Sequence, residues 1–106
     1  MIIYNVTIKI NLAQHDEWYQ WMKEVHIPEV MATSYFIKSQ MSKLLYMDES
    51  DGYTYTIQYY CKDLKTLEAY HELAAPALQK KHTEKFKDKY VAFRSIMDVH
   101  HDHEVE

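Results

Sequence analysis

His26 is the side chain of this 106-residue chain best placed, from sequence alone, to move a proton. It sits two residues before Pro28, at the end of a stripe formed by Trp18, Trp21, Met22 and Val25 at helical spacing. Proline has no amide hydrogen and disfavours helical angles in the residue before it. The helix is therefore expected to stop or kink near His26, and Pro28 to open a short second turn. A histidine at such a break either caps it and packs on a neighbour, or serves as an acid/base or ligand-contacting group at a groove mouth. His82 is a second candidate. It lies between Leu78 and Phe86, four residues from each, on the apolar line of another helix, where a histidine with its hydrogen bonds satisfied in the core is the commoner outcome.

Other chemistries find less support. Cys61 alternates onto the apolar face of a strand, so a buried, unreactive thiol is expected. His100, His101 and His103 could catch nickel or zinc from a polar tail, but no fixed geometry follows, and no metal site is assigned. One glycine rules out a glycine-rich phosphate loop. No serine triad has a signature, and no cofactor is implied.

Residues 2–12 alternate strictly. Tyr4, Val6, Ile8 and Ile10 point one way; Ile3, Asn5, Thr7 and Lys9 point the other, as a strand with one apolar face requires. The tryptophan helix follows. Phe36 to Met47 reads as a rougher, edge-like strand. Asp48 to Gly52 is a turn whose glycine can take the positive φ a hairpin favours. In Tyr53 to Cys61 the residues Tyr53, Tyr55, Ile57, Tyr59 and Cys61 share a face. Asp63 is an N-cap for the next helix, which Pro76 interrupts. Tyr90 to Val99 closes the chain, with Ala92, Arg94, Ile96 and Asp98 read as one row and Val91, Phe93, Met97 and Val99 as the other. The order β-α-β-β-α-β with right-handed crossovers gives an α+β, ferredoxin-like domain. It has a four-stranded antiparallel sheet over residues 1–99, two helices on one face and a polar tail, 100–106.

The helices cover one face only. The other is expected to carry Asn5, Thr7, Thr56, Gln58, Tyr60 and Arg94, with Ile3, Ala92 and Ile96 between. That mixture suits neither a core nor plain solvent. A second copy packed face to face would make a dimeric α/β barrel, with these polar groups at the dimer interface or around a small ligand.

Composition sets further bounds. The net charge of −4 argues against nucleic acid or an anionic membrane as the main partner. Gly52-Tyr53-Thr54-Tyr55 brushes against the aromatic strand motif of RNA readers, but Asp51 and Gln58 stand where basic and aromatic residues belong. Asn5, Thr7, Lys9 and Asn11 interrupt any signal-peptide core, and no run is long enough to span a bilayer. A single cysteine fits a reducing cytoplasm.

Met1-Ile2-Ile3-Tyr4-Asn5, the run from Trp21 to Val30, Gln58-Tyr59 and the run from Lys89 to Arg94 resemble a domain-of-unknown-function family of short bacterial proteins, seen chiefly in the Bacteroidetes. The resemblance covers almost the whole chain. It implies a dimeric α/β-barrel fold and a bacterial cytoplasmic origin, and no activity. In that family tyrosine can stand where His26 is.

The function expected is a homodimeric small-molecule-binding or regulatory domain. The alternative is a cofactor-free oxygenase or isomerase with His26 as proton carrier, by analogy of fold.

Overall fold

The computed structural model describes residues 1–106. Strand β1 (Ile2–Asn11) leads through a 3₁₀ turn (Leu12–Gln14) into helix α1 (His15–Trp21), a π-turn (Met22–His26) and helix α2 (Ile27–Ala32). Strands β2 (Lys38–Lys43) and β3 (Gly52–Cys61) form the central hairpin. Helices α3 (Leu64–Leu73) and α4 (Ala75–Lys85) precede the final strand β4 (Tyr90–Asp98). All pairings are antiparallel, in the order β2-β3-β1-β4. This is the expected ferredoxin-like α+β arrangement.

The first helix does not break at Pro28. Trp21, His26 and Ile27 all hold right-handed helical angles, and the Ile27 amide reaches back to the Met22 carbonyl, one residue further than in an α-helix. This wider turn gives the proline ring room without stopping the helix. It also redirects side chains. Steps of four residues drift by about 40° around an α-helix, and the wider turn takes up that drift. Trp18, Met22, His26 and Val30 therefore all face the core, while Val25, expected on the stripe, is 40% exposed.

The second helical segment divides as its proline suggested. Ala74, at φ −122°, separates α3 from α4. Asp63 caps α3, its carboxylate accepting from the Thr66 amide at 2.8 Å and the Thr66 hydroxyl at 2.6 Å. Leu78, His82 and Phe86 are buried, as their spacing predicts.

Gly52 does not adopt positive φ. A Cβ there would meet the Ile10 carbonyl oxygen at 2.5 Å, so the glycine serves the close approach of two backbones instead. Positive φ in this connection falls on Tyr46, at 60°. Strand β2 is also shorter than expected. Phe36 drops into the core, and Leu44 makes the last backbone bond to β3, donating to the Thr54 carbonyl at 2.9 Å.

Tyr4, Val6 and Ile8 pair with Tyr59, Ile57 and Tyr55 beneath the helices, as the alternation predicts. The parity of β4 is opposite to expectation. Ala92 pairs with Ile8, Arg94 with Val6 and Ile96 with Tyr4, so this row lies on the helix side. Val91, Phe93 and Met97 pair with Lys9, Thr7 and Ile3 on the open face. The helix-side row carries Arg94 and Asp98 while the open-face row is the more apolar, so alternation alone points the wrong way. The anchor is Tyr90, whose ring meets His82 edge-on at 4.5 Å and whose hydroxyl lies 3.1 Å from that of Thr83.

Candidate functional site

The side chains with chemical potential meet between the sheet and the helices. There a cavity of about 40 Å³ is walled by β1, β3 and β4 below and by the π-turn, α2, α3 and α4 above. That volume has room for about three waters. The wall is mostly apolar. Its polar contributors include His26 from the π-turn, Tyr70 from α3, Gln79 and His82 from α4, and Arg94 from β4.

His26 is buried, and its Nδ1 has no hydrogen-bond partner. Its ring stacks on Trp21 at 4.8 Å and lies 5.7 Å from the ring of His82. Burial pushes its pKa down to about 4, while Glu29 and Lys81 act on it in opposite senses. Those two residues pair with each other at 2.6 Å, tying α4 to α2. His26 is therefore neutral at neutral pH, able to accept or donate one hydrogen bond at each nitrogen by choice of tautomer.

His82 is better satisfied. The Trp18 indole N–H donates to its Nε2 at 2.9 Å. An indole can only donate, so Nε2 carries no proton and the neutral ring holds its hydrogen on Nδ1. Burial first, then His26 and Arg94, lower its pKa to about 4.

Arg94 is the only arginine in the chain. It lies exposed at the cavity mouth, on the edge strand β4. The ion pairs of the molecule all use lysines or histidines and leave its guanidinium without a carboxylate. Its charge is felt by Tyr70, His71 and His82.

Of the residues expected at a site, the structure brings His26, His82 and Arg94 together. Asn5, Thr7, Thr56, Gln58 and Tyr60 lie on the opposite sheet face, apart from the cavity. There the Asn5 amide donates to the Thr7 hydroxyl at 3.0 Å, leaving its own buried oxygen unpartnered. The Tyr60 hydroxyl donates to Gln40 at 3.0 Å. Placing Arg94 with this group is thus a correction, and it follows from the β4 parity.

Sequence reasoning missed Gln79 and Tyr70, which occupy ordinary helix positions. It also missed a relay in which His15 Nδ1 meets the Asp16 carboxylate at 2.9 Å and its Nε2 meets the Tyr55 hydroxyl at 2.6 Å. The adjacent His15-Asp16 pair was its only signal. Burial pushes the Tyr55 phenol up, so the relay holds a protonated hydroxyl rather than a phenolate. No three metal-capable side chains converge anywhere in the molecule. No helix is long and apolar enough to cross a membrane.

A family model described as a domain of unknown function, DUF4286, matches residues 1–100. The chain belongs to the DUF4286 family. This member is similar in fold to a dimeric ferredoxin-like protein from an uncultured marine organism, with a TM-score of 0.74, 9% identity, and coverage of 99% of this chain and 100% of that one. It is similar to HapK from Hahella chejuensis at a TM-score of 0.68 and 13% identity, covering 100% and 99%. It also resembles SnoaB, a cofactor-independent oxygenase from Streptomyces nogalater, at a TM-score of 0.63 and 11% identity, covering 95% of each chain. At such identities the likeness speaks to fold. No curated protein matches this DUF4286 chain.

Proposed function

We propose that this DUF4286 protein is a homodimeric small-molecule-binding domain. The ligand enters the cavity between sheet and helices, and the open sheet face joins two subunits. The unpartnered Nδ1 of buried His26, in the cavity wall, carries the ligand half of this reading. A buried polar nitrogen without a partner costs about 1–3 kcal/mol, which a bound molecule or ordered water would recover. The dimer half is supported by apolar side chains left on the open face, Val91 and Phe93 being 68% and 63% exposed. Asn5, Thr7, Thr56, Gln58 and Tyr60 then lie in the interface, where a partner can meet the free Asn5 oxygen. A bacterial, Bacteroidetes-type source and a cytoplasmic setting fit the same reading.

A second reading is a cofactor-free oxygenase- or isomerase-like enzyme with His26 as proton carrier. The neutral ring favours it, since an unprotonated imidazole can accept a proton. Its low pKa makes it a weak base at neutral pH, which places binding ahead of catalysis.

A thermal-shift screen against small organic acids and metabolites, with product analysis by mass spectrometry, separates the two. Stabilisation without turnover supports the binding domain. Turnover abolished by His26→Ala, with melting and dimer mass unchanged, supports the enzyme. A screen in which no compound shifts the melting point removes the ligand half, and a monomeric mass by light scattering at micromolar protein removes the dimer half.

A further inference from the structure

We propose that the ligand of the cavity is a small carboxylate, held by Arg94 through its anionic end and by His26 Nδ1 through a hydroxyl or carbonyl on its apolar body. This rests on the cavity reading above and adds its chemical class.

Three observations converge. First, the chain is acidic overall, with 16 acidic against 12 basic residues, yet the cavity wall contains no aspartate or glutamate and one formally charged side chain, Arg94. Its guanidinium has no carboxylate within the protein. A planar fork of N–H donors matches a carboxylate in two parallel bonds. Second, the remaining polar groups of the wall are neutral. His82 is fixed by Trp18, and Tyr4 by a 3.5 Å contact from the Gln79 amide, while His26 Nδ1 is the buried nitrogen left free. One charged contact at the mouth and one neutral contact within describe a ligand polar at two points. Third, the enclosed space has room for about three waters, so it takes a short aliphatic body rather than a ring. A phosphate would need a second cation, and the wall offers none.

The test is a ¹H–¹⁵N NMR titration of the full chain with three probes of one size class: 3-hydroxybutyrate, butyrate and butyramide. Both acids should shift the amides around Arg94, Gln79 and His82, with 3-hydroxybutyrate binding more tightly than butyrate. Butyramide should bind at least tenfold more weakly. Arg94 is exposed on an edge strand, so Arg94→Gln keeps the fold. It should weaken both acids about tenfold while leaving butyramide unchanged, and Arg94→Lys should fall between. Butyramide binding as well as butyrate overturns the anion claim but leaves small-molecule binding standing. Acids bound equally by wild type and Arg94→Gln overturn it too. Silence from all three probes overturns the proposal outright, while the broader screen above decides the parent reading by itself.

Discussion

The indole N–H of Trp18 donates to Nε2 of His82 at 2.9 Å, and this bond joins the first helix to the last across the core. Trp18 is fully buried, so the bond competes with no water. It fixes the tautomer of His82 and orients that ring at the cavity wall. Trp18→Phe removes the donor and some ring volume, leaving a buried acceptor unpaired. A loss of about 2–4 kcal/mol is expected in urea unfolding. A change below about 0.5 kcal/mol would show that the bond contributes nothing net.

Acid should unfold this protein earlier than its carboxylates alone require. His26 and His82 sit near pKa 4 in the folded chain, against about 6.5 when unfolded. Between these values the unfolded state binds protons that the native state excludes. Their contribution is therefore whole above pH 6.5, declines as pH falls toward 4, and changes no further below that. Each ring should cost on the order of 2 kcal/mol by pH 4.5. The check is urea unfolding from pH 7 to 4.5 for the wild type and a His26→Gln, His82→Gln double variant. The variant's stability should vary less over this range, and identical slopes would contradict the assignment.

The π-turn makes a prediction opposite to the simple helical stripe. Val25→Lys should change stability by no more than about 0.5 kcal/mol, because the side chain already meets solvent. Met22→Ala should cost about 2–5 kcal/mol, as a buried large-to-small change does. A loss at Val25→Lys as large as that at Met22→Ala in thermal unfolding would mean that the helix is wound as a plain α-helix.

Gly52→Ala places a methyl group 2.5 Å from the Ile10 carbonyl oxygen, against backbone rather than a yielding side chain. A loss of about 2 kcal/mol or more is expected from strain in the β1–β3 pairing. Tyr46→Gly, at positive φ in the same connection, should be tolerated with little change. Equal tolerance at both positions, measured by melting temperature, would place the demand for glycine elsewhere.

Phe93→Asp puts a charge on the open sheet face of the proposed interface without touching the cavity. Light scattering should show the dimer mass replaced by the monomer mass, with the acid titration at Arg94 retained. A variant that stays dimeric would move the interface to another surface.

How far the chain could be read without coordinates differs from element to element. Strands β1 and β3 were legible because each has one apolar and one polar row, so their faces followed from alternation. Asp63 and the pair Leu78 and His82 were legible because caps and four-residue spacing are local patterns. Strand β4 was not, because its more apolar row, Val91, Phe93 and Met97, is the one left on the open face. Its parity waits on Tyr90 reaching His82 and Thr83. The π-turn was hidden because Pro28 usually marks an end. Here the burial of Met22, His26 and Val30 outweighs that local preference.

Near neighbours along the chain were enough to set the element order and the helix-covered face of the two central strands. Tertiary structure decided that Arg94 belongs with His26 and His82 rather than with Asn5 and Gln58. One residue of strand parity separates those outcomes, and moving by one residue sends every side chain to the other face. Only contacts between distant segments can hold that choice.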